Sequence, residues 1–120
     1  VKILLLALGL AAAAPAAAAS LPDIAGDWVV DLRVDASKDA AYSKPMVLKI
    51  AADRKVTGEF YNSEIIDGRA SATNGRVCVA FKTSDGRGLY QTSGCLIDGR
   101  IVGQSWSEQR GFLLNWTATR

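Results

Sequence analysis

From Asp27 to Arg120, apolar and polar residues follow one another with a two-residue period. Trp28, Val30, Leu32 and Val34 share one face of a first strand, and Val29, Asp31, Arg33 and Asp35 share the other. That is the pattern of a sheet with a single buried face. A polar loop from Asp35 to Pro45 follows, then a second strand on which Met46, Leu48 and Ile50 point one way. After a turn at Asp53-Arg54, Val56, Gly58 and Phe60 mark a third strand, and a fourth runs from Glu64 to Ala72. Four more are expected over Val77–Thr83, Leu89–Ile97, Ile101–Ser107 and Phe112–Thr119. No stretch after Ser20 carries a helical period.

The turns fix much of the register. Asn74-Gly75 reads as a type I′ hairpin, whose two central residues both need positive φ. Centring the turn there sets Ala72 opposite Val77, Ala70 opposite Val79 and Gly68 opposite Phe81, all on one face. Gly68 then lies inside a strand, in an Asp67-Gly68-Arg69 run that reads as a bulge. Eight short strands joined by tight turns predict an all-β fold, an eight-stranded antiparallel up-and-down barrel. Closure removes the unpaired edges that an open sheet would leave. A flattened two-sheet sandwich satisfies the same alternation.

The first nineteen residues differ in kind. Lys2 supplies a positive start, Ile3–Leu10 an apolar run too short to span a bilayer, and Ala17-Ala18-Ala19 a small-x-small cleavage site. Residues 1–19 are therefore expected to be a signal peptide and residues 20–120 a single barrel domain in a periplasmic or secreted protein. Without Lys2 the 14 basic residues fall to 13, against 12 acidic ones. That balance, with arginines spread along the chain, gives no case for nucleic acid. No segment after Ser20 is long and apolar enough to predict a membrane span.

The two cysteines carry a sharper expectation. Asp85-Gly86-Arg87-Gly88 fits a two-residue type II′ turn with Gly86 at the position that needs positive φ. Counted outward from that turn, Cys78 falls directly opposite Cys95 in a non-hydrogen-bonded pair, where side chains are closest. Cys78 shares its parity with Lys82, so a Cys78–Cys95 disulfide is expected on the outer surface, as an oxidising compartment permits.

Candidate chemistry is sparse. The chain has no histidine, which removes the commonest general base and every Ser-His or Cys-His device. The three Asp-Gly-Arg tripeptides, starting at Asp67, Asp85 and Asp98, read as turn chemistry. Glu59, Glu64 and Glu108 are carboxylate candidates only by default. No phosphate loop, calcium loop or zinc spacing appears, so neither cofactor nor metal is expected. The inner face holds many small residues, among them Gly58, Gly68, Ala70, Ala72, Gly94 and Ala118. They either leave a cavity or make room for Trp28, Phe60, Phe81, Phe112 and Trp116 to fill a narrow barrel. The inward set of the seventh strand stays open: Ile101, Gly103 and Ser105, or Val102, Gln104 and Trp106.

Gly26-Asp27-Trp28 resembles the Gly-x-Trp opening of lipocalins and the wider calycin group. The resemblance implies that Trp28 sits at the closed barrel end beneath a basic residue from near the last strand, here Arg120, in a cation–π contact. The Val56–Tyr61 strand and Trp106 also resemble avidins distantly, although Val30 stands where their biotin site has an asparagine. Met46-Val47-Leu48-Lys49-Ile50, Lys55-Val56-Thr57-Gly58 and Trp116-Thr117-Ala118-Thr119-Arg120 resemble small bacterial exported β-domains, found alone or appended to secreted hydrolases, to which no activity attaches. Three functions follow as expectations. The first is a non-enzymatic carrier or sensor of a small apolar ligand, with Tyr42, Phe60, Tyr90, Thr92 and Trp106 as ligand contacts. The second is a module that binds a periplasmic protein, such as a protease inhibitor or an accessory domain. Inhibitors of that type insert an N-terminal segment into the protease, for which Ser20–Ala25 is short. The third, an enzyme, has the least support in the residues.

Overall fold

The first strand, β1 (Gly26–Asp31), buries Trp28 and Val30 and pairs on both sides. In this computed structural model, which describes Gly9 and residues 19–120, eight more strands follow. They are β2 (Ser43–Ile50), β3 (Lys55–Phe60), β4 (Ser63–Glu64), β5 (Ile66–Thr73), β6 (Arg76–Ser84), β7 (Leu89–Ile97), β8 (Arg100–Ser107) and β9 (Phe112–Thr119). Each of the long strands pairs antiparallel with its neighbours in the chain, and β9 returns to β1 through Val29–Thr119, Val30–Ala118 and Asp31–Thr117. The ring is therefore closed, with eight strands in up-and-down order; β4 is a two-residue stub on β3. The expected signal peptide lies almost wholly outside the described residues.

Alternation places one side chain in two inside. Trp28, Val30, Met46, Leu48, Val56, Phe60, Val79, Phe81, Ile101 and Trp116 form a single buried cluster. Each such side chain contributes about 1.5–3 kcal/mol on burial, which is what drives the sheet to curl around them. The inward set of β8 is Ile101, Gly103, Ser105 and Ser107. The turn at Asp98-Gly99 carries no bulge, since Ile97 pairs directly with Arg100. Gly94 and Gly103 make room for one large neighbour: a Cβ at Gly103 would stand 2.3–2.6 Å from ring atoms of Trp116.

The hairpin registers follow the turn chemistry. Asn74 and Gly75 have φ of 52° and 71°, and Ala72 faces Val77 and Ala70 faces Val79. Asp67 and Gly68 both stand against Phe81, because the register shifts between Ile66 and Arg69. A side chain at Gly68 would run into the backbone of Val56 at 2.5 Å. Cys78 and Cys95 are partners across β6 and β7, joined by a disulfide with their Cα atoms 4.0 Å apart.

Several expectations need correction. Val34 is not in the core; β1 ends at Asp31, where the Arg33 guanidinium grips the Asp31 carboxylate at 2.5–3.1 Å, and the exposed Val34 belongs to the following loop. That loop closes at Tyr42, whose carbonyl accepts from the Leu32 N–H at 2.9 Å, so β2 starts before Pro45. Ala72 is exposed, because the β5–β6 hairpin runs past the start of β3, whose first residue faces Arg69. The expected fourth strand is split into β4 and β5 by Ile65, whose N–H turns to the Gly58 carbonyl.

A short helix, α1 (Leu21–Ile24), precedes the barrel and plugs one end. Asp23 accepts the Ser20 N–H at 2.6 Å, and Ile24 is fully buried. Its carbonyl accepts from the Trp28 indole at 2.9 Å. Arg120 lies over the Trp28 ring, 4.0 Å from its centre, and donates to the carbonyls of Asp23 and Ala25. One barrel end is thus covered by α1 and the chain's last residue.

Candidate functional site

The opposite end is where β1, β3, β6 and β8 finish and β2, β5, β7 and β9 begin. There the side chains leave an interior space unfilled. A cavity of about 580 Å³ opens between the loop of residues 32–42, the β3–β4 turn, and the hairpin ends around Asp85 and Arg110. Its apolar surface comes chiefly from Leu32, Phe60, Phe112 and Leu114. Tyr42, Tyr61 and Tyr90 stand around the mouth. That volume lies within the roughly 300–1,000 Å³ usual for small-molecule sites.

The mouth is held by polar contacts. The Tyr42 and Tyr61 hydroxyls hydrogen-bond to each other across it, and their rings meet edge to face at 6.2 Å. Tyr61 adopts φ 52°, a left-handed conformation uncommon for a bulky residue, because it and Asn62 form the tight turn from β3 to β4. That hydroxyl contact, with partial burial, raises the Tyr61 pKa above the ordinary tyrosine value. Asp85 receives the Arg87 N–H at 2.9 Å and the Arg110 guanidinium at 2.6 Å. These contacts hold its carboxyl below the ordinary range. Arg110 also covers the Tyr90 ring, 5.9 Å from its centre. Burial, with Asp85 beside it, raises the Tyr90 phenol.

On the β6–β8 side, the lining changes. Thr83 and Ser105 face the cavity and are each only 4% exposed. The Ser105 hydroxyl accepts from the Trp116 indole N–H at 3.1 Å and shares a hydrogen bond with Thr92 at 2.9 Å. The next inward residue of β8, Ser107, is fully buried and its hydroxyl has no partner.

Of the residues expected to contact a ligand, Tyr42, Phe60 and Tyr90 line the cavity together. Thr92 stands behind Ser105, buried and bonded to it. Trp106 does not join them. It is 41% exposed on the outer wall opposite Leu113, because Ser105 and Ser107 take the inward parity of β8. It borders a shallow outer groove that also includes Arg69 and Gln91. Glu59 and Glu64 face each other across β3 and β4, exposed, and Glu108 is exposed in the β8–β9 turn. The sequence marks Tyr61 only as an exposed aromatic suited to an interface, and it does not mark Thr83, Asp85, Ser105 or Arg110 as cavity residues. Inward parity was available as a signal for Thr83, which continues the Val77, Val79, Phe81 series. Nothing local announces Asp85 and Arg110, which meet only because two hairpin ends fold to the same rim. A comparison with protein-family models, with curated proteins and with solved structures finds no match to this chain.

Proposed function

We propose that this chain is an exported, non-enzymatic binding barrel of lipocalin-like form that takes one small, largely apolar molecule into the cavity between Phe60, Tyr90 and Leu114. The observation that carries this reading is the hollow end itself. At other levels of the barrel, inward positions are filled by large side chains, with glycines set where Trp116 needs the space. At the open end, Phe60, Tyr90 and Leu114 instead border a space of about 580 Å³. Interiors normally close-pack, so space kept open beside a pinned rim of tyrosines suits a ligand. The disulfide agrees with an oxidising exported compartment. A binding role rather than catalysis is supported by the cavity's chemistry: the chain has no histidine, and both cavity carboxylates are engaged, Asp85 by Arg87 and Arg110 and Asp39 by the Asp35 N–H. Native mass spectrometry of the oxidised protein, purified from its exported fraction without refolding, tests the reading. A single non-covalent adduct that disappears on denaturation is expected. A bare mass, together with no uptake of a neutral apolar dye, refutes it.

A second reading, a protein-interaction module, draws support from Trp106 and Leu113, an exposed apolar pair on the outer wall. Under that reading Trp106→Ser abolishes capture of a partner from periplasmic extract and leaves dye uptake unchanged. Capture that is unaffected by the substitution counts against it.

A further inference from the structure

Buried hydroxyls in this barrel are confined to one place. The four buried polar side chains of the described residues are Thr83, Thr92, Ser105 and Ser107. All four lie on the inward faces of β6, β7 and β8, at the cavity end. Burying a hydroxyl without a partner costs about 1–3 kcal/mol, so a cluster that does not satisfy itself calls for an explanation. Thr92 and the Trp116 indole leave Ser105 one hydrogen-bonding position to spare, since a hydroxyl offers one donor and two acceptor sites. Thr83 lines the cavity and enters no side-chain hydrogen bond among the described residues. Ser107, paired across to the cavity residue Phe112, is the one whose hydroxyl is both buried and without a partner, and it stands beside the cavity rather than in its lining.

Charge is arranged differently. The two cavity arginines are at the loop and the hairpin rim, and each is already matched: Arg33 to Asp31, Arg110 to Asp85. No lysine or arginine lies on the inward faces of β6, β7 and β8, which carry Thr83 and Ser105.

We infer that the cavity takes a neutral amphiphile whose hydrogen-bonding head, an alcohol, ketone or amide, is received on the β6–β8 side by Thr83 and Ser105, with its apolar body against Phe60, Leu114 and Phe112. A carboxylate placed there loses its hydration and meets no cation, a far larger penalty than an unpaired hydroxyl. The inference rests on the cavity being a binding site and adds the ligand's chemical class and orientation.

The test uses the oxidised exported protein, with decanol, decanamide and decanoate competing at neutral pH against the neutral dye N-phenylnaphthylamine. Decanol and decanamide are expected to bind at least about tenfold more tightly than decanoate, the worth of one well-placed hydrogen bond or more. Thr83→Val and Ser105→Ala each weaken decanol by about tenfold and leave decanoate unchanged. Thr83→Val retains the side-chain shape, so its urea midpoint is expected to hold or rise. That separates loss of recognition from loss of fold; Ser105→Ala, which also releases Trp116, is checked the same way. Decanoate binding as tightly as decanol, or both substitutions leaving decanol unchanged, overturns the inference while the binding site stands. Failure of the dye and all three compounds to bind instead overturns the site itself.

Discussion

Gly103 carries no side chain because the Trp116 ring occupies that volume. Gly94 serves the same ring from the neighbouring strand: a Cβ there would lie 3.0 Å from it and 2.7 Å from Ile101. Gly103→Ala forces the indole off its rotamer and is expected to cost about 1–3 kcal/mol, the usual range for overpacking. Urea denaturation measures this. Because the indole is the obstacle, Gly103→Ala combined with Trp116→Leu should cost less than the two changes summed. Strict additivity would show that Gly103 is required for another reason. Small inward residues were visible in the alternation, but their meaning was not. Alternation counts which residues face inward; it cannot say whether a neighbour fills the gap. Trp116 fills the gap at Gly94 and Gly103, while the empty volume lies elsewhere, among larger side chains such as Phe60 and Leu114.

At the scale of strands and turns, the hairpins were the most legible parts, because their chemistry is local. Asn-Gly and Asp-Gly pairs adopt positive φ cheaply, and Gly86 does so at φ 83°. From that turn the Cys78–Cys95 pairing followed by counting, and the structure forms the bond. It closes a sequence separation of 17 residues, so replacing both cysteines with alanine is expected to cost about 3 kcal/mol, chiefly by freeing the unfolded chain. The far-ultraviolet spectrum should remain that of a β-protein, since the β6–β7 ladder persists on either side. Helix α1 was missed, although Ser20, Pro22 and Asp23 form a recognisable helix start. One turn is too short to show a period, and its stability comes from Ile24 meeting Trp28. The end of β1 was misplaced for a related reason. Val34 keeps the alternation going, but the Asp31–Arg33 ion pair just before it has already turned the chain. Arg33 lowers the Asp31 pKa from 3.8 to about 2. A carboxylate with a depressed native value stabilises the fold above its unfolded value, and that contribution is lost as pH falls through the native one. Stability should therefore decline between about pH 4 and pH 2, with a shallower slope in Asp31→Asn. Parallel acid profiles for the two proteins would mean that the pair contributes nothing.

For the molecule as a whole, closure was legible and asymmetry was not. Eight alternating strands require a closed or double-layered solution, and the β1–β9 pairing closes the ring. What alternation cannot carry is which end is sealed. That depends on contacts between distant segments: Arg120 over Trp28 at one end, Tyr42 with Tyr61 and Arg110 with Asp85 at the other. The sealed end joins the first and last described elements. The open end gathers a long loop and three tight turns around a hollow. The account depends on that hollow belonging to the folded protein. A crystal structure of the oxidised protein, isolated from its native source without refolding, tests this most directly. The account expects a closed barrel with a small molecule between Phe60, Tyr90 and Leu114, its polar end toward Thr83 and Ser105. A barrel in which Tyr42, Phe112 and Leu114 fold inward and fill the space would contradict it.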